Sequence, residues 1–144
     1  SFGKEWMPKR VKDNGVDYEN CPAIDIREYI YDMPTVLTAA DVVIGRAGSA
    51  TCNEIAASGT PCILVPSPNV TNNHQEKNAR VLESGGGAVV LLEKDCTAET
   101  LYGLIRQLLA DETRRAQMSQ KLHAQLRPDS TDRICAIVEE ITGR

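Results

Sequence analysis

The stretch Ala40-Asp41-Val42-Val43-Ile44-Gly45-Arg46-Ala47-Gly48-Ser49-Ala50-Thr51-Cys52-Asn53-Glu54-Ile55 decides the fold. Val42-Val43-Ile44 is a short, wholly apolar, β-branched run, the mark of a strand buried on both faces. Apart from Arg46, the following residues are glycine, alanine and serine, which suits a tight turn. Residues 51–58 then read as a helix stopped by Gly59. The same alternation continues downstream. Cys62-Ile63-Leu64-Val65 is a second buried strand, ended by Pro66 and Pro68. Residues 74–84 form a helix stopped by Gly85-Gly86-Gly87, and residues 88–92 are the last strand. Strands alternating with helices predict an α/β fold, a parallel Rossmann-like sheet with helices on both faces.

Upstream, residues 4–14 predict a helix ending at Gly15, with Pro8 either in its first turn or breaking it. A linker runs to Pro22. Residues 24–29 are a strand candidate, and residues 34–40 a short helix with Pro34 near its start. Beyond the last strand, Leu101, Leu104, Ile105, Leu108 and Leu109 recur at helical spacing. Residues 112–126 predict a second helix, broken at Arg127-Pro128-Asp129. Ile134, Ile137, Val138 and Ile141 mark a third, with Ser130 as its cap. The chain thus reads as one domain, 1–144, which the resemblance given below implies is partial. Residues 1–23 are a lead-in helix and linker, 24–92 an α/β core, and 97–144 carboxy-terminal helices.

At 144 residues, with 42% hydrophobic and 25% charged residues, the chain is long enough to bury a core and too apolar to be disordered. The formal charge of −4 argues against nucleic acid as a partner. No apolar run reaches the ~18–20 residues of a spanning helix, and the start has no signal-peptide pattern. The five cysteines are odd in number, widely spaced and without a Cys-x-x-Cys pair, and the two histidines are far apart. Free thiols in a reducing cytoplasm fit better than a metal site or a disulfide framework.

In an open parallel sheet, ligands bind beyond the carboxyl ends of the strands. The first such loop leads into a helix whose start offers unpaired N–H groups and a positive dipole end, a site for phosphate or diphosphate. Its spacing matches neither Gly-x-Gly-x-x-Gly nor a Walker loop. Thr51-x-x-Glu54 is either a capping box or, with Glu54 turned to a ligand, a carboxylate for the two hydroxyls of a ribose. Arg46 either steadies a phosphate or pairs with an acid. The second loop leads into His74-Gln75-Glu76-Lys77-Asn78. These side chains are either a solvated helix start, capped by Asn72 or Asn73, or a set of donors and acceptors for sugar hydroxyls. His123 reads as an exposed side chain of a polar helix. No nucleophile–base constellation, paired carboxylates or Asp-x-Asp metal–nucleotide signature is present, so no catalytic residue and no metal ligand is assigned.

Four strings taken in order carry a resemblance. They are Arg27-Glu28-Tyr29-Ile30-Tyr31-Asp32-Met33-Pro34, the Ala40–Ile55 stretch quoted above, Gly59-Thr60-Pro61-Cys62-Ile63-Leu64-Val65-Pro66-Ser67-Pro68, and His74-Gln75-Glu76-Lys77-Asn78-Ala79. Together they resemble the carboxy-terminal domain of the MurG family, bacterial N-acetylglucosaminyltransferases that make lipid II for peptidoglycan. The resemblance spans nearly the whole chain. It implies one half of a two-domain GT-B glycosyltransferase that binds the donor UDP-N-acetylglucosamine. The backbone of Ile30 would read the uracil, with Met33 nearby. The helix start at Ser49, Ala50, Thr51, Cys52 and Asn53, with Arg46 before it, would meet the diphosphate and sugar. Glu54 would hold the ribose, and His74, Gln75 and Asn78 the sugar hydroxyls.

The resemblance further implies transfer with inversion to undecaprenyl-pyrophosphoryl-N-acetylmuramyl-pentapeptide (lipid I). It implies no cofactor or metal, and a peripheral place on the inner face of the cell membrane through an amino-terminal acceptor domain. The first strands of the family's donor domain are missing from these 144 residues, so unpaired sheet edges, rearranged packing or strand exchange are expected. The 144 residues alone are not expected to transfer sugar. A non-catalytic UDP-sugar-binding subunit on a membrane partner, or another GT-B transferase, are the alternative functions.

Overall fold

The computed structural model describes residues 6–126 and 129–143. Two compact units divide the chain, Ser1–Met33 and Pro34–Arg144.

In the first unit, helix α1 spans Trp6–Asp13. It ends where Gly15 takes a positive φ of 77° and its N–H donates to the Lys12 carbonyl at 2.8 Å. The expected strand over 24–29 does not form. A strand exists only as a member of a ladder, and the first unit has no second strand among its described residues. The backbone there closes local turns instead, Tyr18 N–H on Val16 and Ile24 N–H on Cys21. Arg27 folds back on Asp25 at 2.6 Å and holds that carboxyl below its ordinary pKa.

The second unit opens with helix α2, Met33–Ala39, at the boundary. Strands β1 (Val43–Gly45), β2 (Cys62–Leu64) and β3 (Ala88–Val90) form a parallel sheet in the order β1-β2-β3. The register aligns Ile44, Ile63 and Val89 across it. Helices α3 (Ser49–Ser58) and α4 (His74–Ser84) make the two crossovers. Helices α5 (Ala98–Ala110), α6 (Glu112–Gln125) and α7 (Ser130–Thr142) follow.

Because side chains alternate along a strand, β2 feeds two cores. Cys62 and Leu64 pack with Cys52, Ile55, Ala79, Leu82 and Leu122, so α3, α4 and one side of α6 cover that face. Ile63 packs with Leu91, Leu108 and Met118 under α5 and α6. Both faces are therefore covered at β2. At β1 the second face is open, and Ile44 is 45% exposed. The outer edge of β1 has no partner strand among the described residues.

Glycines fix the close approaches. Gly59 ends α3 at φ 68°, its N–H on the Ile55 carbonyl at 3.0 Å. A Cβ there would lie 2.2 Å from His123 Nε2, so His123, exposed as expected, also lies across the helix end. The turn 85–87 lies against Gln125, Lys121 and Leu122 of α6 in the same way.

The last helix departs from expectation in two respects. Asp129, not Ser130, occupies the cap position, and Ser130 is the first helical residue. The apolar stripe of α7 is real but unburied, with Ile134 62%, Ile137 54% and Ile141 79% exposed. Arg127 and Pro128, expected to break the chain between α6 and α7, lie outside the described residues.

Candidate functional site

The carboxyl ends of β1, β2 and β3 converge on the start of α3. Gly48 is its N-cap, extended at φ −65°, ψ 153°, with no side-chain cap. The first amide used within the helix is that of Cys52, on the Gly48 carbonyl at 2.9 Å. The N–H groups of Ser49, Ala50 and Thr51 have no partner among the described residues. No acidic residue lies in the first turn. The positive end of α3 is thus uncompensated and faces the side of the sheet where ligands bind.

This geometry removes the capping-box reading. A capping box needs its threonine at the N-cap, and Thr51 is already inside the helix. Glu54 sits on the second turn as an exposed carboxylate with no hydrogen bond or ion pair among the described residues. Asn53 beside it is also exposed. Cys52 is different. Its amide is used by Gly48, its thiol is buried in the core, and burial raises its pKa. The three amides before it are the ones that remain.

Arg46 is paired rather than free. Its guanidinium makes an ion pair with Glu93 and also donates to the Val65 carbonyl at 3.1 Å. It therefore ties together the chain leaving β1, the chain leaving β2 and the 3₁₀ turn Glu93–Asp95 beyond β3. Sequence reasoning missed Glu93. The available signal was its place as the first polar residue after the apolar run 88–92.

The start of α4 completes the site. Asn72 and Asn73 both hold positive φ, 55° and 51°, a conformation asparagine tolerates better than most residues. Asn73 is the N-cap, but its side chain accepts no helix N–H and instead donates to Glu76 at 2.7 Å. That bond, and then Arg80, holds the Glu76 carboxyl below its ordinary value. Gln75 accepts from the Ser67 N–H at 2.9 Å, which leaves its NH₂ group to donate outward. Asn78 donates to the Ala47 carbonyl at 3.1 Å, which leaves its carbonyl oxygen as an acceptor. His74 Nδ1 bonds the Thr71 carbonyl at 3.0 Å. In a neutral imidazole that bond puts the proton on Nδ1 and leaves Nε2 as an exposed acceptor. Ser49, Asn53 and Asn78 also line a groove of about 930 Å³ alongside α3 and α4. Ile30 and Met33 lie in the first unit, both half-buried. No cluster of metal-ligating side chains occurs among the described residues.

A parallel α/β sheet with an open helix start at its carboxyl edge, flanked by an exposed carboxylate and by amides, has the form of a site for an anion. The comparisons narrow this class. The family model described as glycosyltransferase family 28 C-terminal domain matches residues 1–134. The chain belongs to that family and has the fold of the carboxy-terminal half of GT-B glycosyltransferases.

Among its relatives is the UDP-N-acetylglucosamine--N-acetylmuramyl-(pentapeptide) pyrophosphoryl-undecaprenol N-acetylglucosamine transferase of Acetivibrio thermocellus. It is 45% identical over 120 residues, which are 83% of this chain and 32% of the relative. The transferase of the same name from Desulforamulus reducens is 38% identical over 142 residues, 99% of this chain and 38% of the relative. Acinetobacter baumannii MurG superposes with a TM-score of 0.79 at 27% identity, covering 92% of this chain and 39% of that one. A glycotransferase of kitacinnamycin shares the fold at a TM-score of 0.66 and 23% identity, covering 85% of this chain and 30% of that one. The chain spans about a third of the length of the curated relatives it matches.

Proposed function

We propose that the start of α3 binds the diphosphate of UDP-N-acetylglucosamine, and that the chain is the donor half of a longer N-acetylglucosaminyltransferase. The observation that carries this reading is the trio of unpartnered N–H groups on Ser49, Ala50 and Thr51 at the carboxyl edge of a parallel sheet. Glu54 accepts from the ribose hydroxyls. The Gln75 NH₂ group, His74 Nε2 and the Asn78 oxygen read the sugar. The names of the relatives support the donor and an undecaprenyl-pyrophosphoryl acceptor carrying N-acetylmuramyl-pentapeptide.

In the reaction the acceptor hydroxyl attacks the anomeric carbon from the face opposite UDP. The new glycosidic bond forms as the bond to the β-phosphate oxygen breaks, and the electron pair leaves with UDP. The α3 amides hold the charge that develops there, without a bound metal. The acceptor proton passes to a base outside these residues. The intact protein works at the inner face of the bacterial membrane, which it meets through its other domain. No helix among the described residues is long and apolar enough to cross a membrane.

The test is a transfer assay on the intact protein with UDP-N-acetylglucosamine and the lipid-linked acceptor, with and without chelator. Glycosylated lipid with inverted anomeric configuration, formed equally well with chelator, is the expected result. A chelator-dependent reaction, or transfer from another nucleotide sugar in preference, would overturn it.

A further inference from the structure

The turn 45–48 sets where α3 begins, yet glycine and alanine at Gly45, Ala47 and Gly48 give it little side chain with which to hold itself. Beside the backbone bond from the Val65 N–H to the Gly45 carbonyl at 2.8 Å, side-chain bonds tie it to its surroundings at two points. Asn78 holds the Ala47 carbonyl at 3.1 Å from α4. On the other side, the Arg46 guanidinium is pinned between the Val65 carbonyl at 3.1 Å and the Glu93 carboxylate. Glu93 is the only charged group in this second anchor whose loss leaves the turn's own residues intact.

We infer that Glu93 is a positioning residue, which through Arg46 fixes the turn and hence the first turn of α3. This rests on the reading of α3 as the diphosphate site. Both side chains are about half exposed, at 54% for Arg46 and 41% for Glu93. An exposed pair adds little to global stability, so its loss acts mainly on the turn that it spans. The pair also keeps the Glu93 charge neutralised at an edge that receives an anion.

Two readouts test this on the whole chain. The first is amide exchange at Cys52, whose bond to Gly48 closes the first turn of α3, against Gly59, whose bond to Ile55 closes the last. The second is calorimetric affinity for UDP-N-acetylglucosamine. In Glu93→Ala, Cys52 exchange rises and affinity falls, each about two- to fivefold, which is the worth of one exposed ion pair. Gly59 exchange stays unchanged, whereas general destabilisation would raise both. Glu93→Gln, which keeps an acceptor for Arg46, shows a smaller change. The double variant R46A/E93A is no worse than R46A, because Glu93 acts only through Arg46.

Unchanged Cys52 exchange in E93A, or additive losses in the double variant, would overturn the inference. So would tighter UDP-sugar binding by E93A, since it would make Arg46 a phosphate ligand that Glu93 withholds. A wild-type chain that binds no UDP-sugar while E93A still loosens Cys52 would sink the donor reading and leave the positioning role standing.

Discussion

Gly59 and Cys62, three residues apart, show how one position can be fixed by backbone and the other by burial. Gly59 holds φ 68° with His123 across its open side. Gly59→Ala is expected to cost about 1–2 kcal/mol from the left-handed conformation alone, more with the imidazole in place. Adding His123→Ala recovers only the second part, as urea denaturation of the two variants would show. The Cys62 thiol is pushed up to about 12 by burial, and secondarily by Cys52, from an ordinary 9.0. A raised pKa stabilises the fold below the unfolded value and loses that contribution as pH climbs through the folded one. Urea midpoints of the wild type should therefore fall between pH 9 and 12 more steeply than those of Cys62→Val. Equal slopes would mean that this thiol is not held neutral by the fold.

At the scale of elements, the last two helices behave oppositely although both carry apolar positions at helical spacing. Leu122 of α6 is fully buried between α3, α4 and the sheet, so Leu122→Ala is expected to cost about 2–5 kcal/mol. Ile137 of α7 is 54% exposed, and Ile137→Ala should change stability by less than about 0.5 kcal/mol in thermal unfolding of this chain. Periodicity reports which face of a helix could be buried, not whether a partner is there. The same limit explains residues 24–29, whose apolar content suggested a strand that no ladder supports.

The β-α-β core was legible because its signals are local: short apolar runs, helix stops at Gly59 and Gly85, and the helical start at His74. The open start of α3 was legible for the same reason. The bonds that hold it were not, since Asn78 reaches back 31 residues to Ala47 and Arg46 reaches forward 47 to Glu93. Those separations are set by topology, which brings successive strand ends side by side. The uracil role of Ile30 and Met33 rests on resemblance alone, and nothing in their local chemistry specifies a base.

For the whole molecule, the chain carries a formal charge of −4, and its proposed ligand is an anion. The proposed binding therefore gains nothing from long-range attraction and relies on the local field of α3. Raising salt should then change affinity little compared with a site built on surface lysines. The measurement that tests the central claim most directly is calorimetric titration of this chain with UDP-N-acetylglucosamine, UDP-glucose and UDP, repeated with Glu54→Ala. Glu54 is exposed and has no partner among the described residues, so its loss is expected to leave the fold intact. The account predicts preference for the N-acetylated sugar, and an affinity about ten- to a hundredfold weaker in Glu54→Ala, the value of hydrogen bonds to a charged acceptor. Equal affinity of wild type and Glu54→Ala, or no binding by a folded chain, would contradict it.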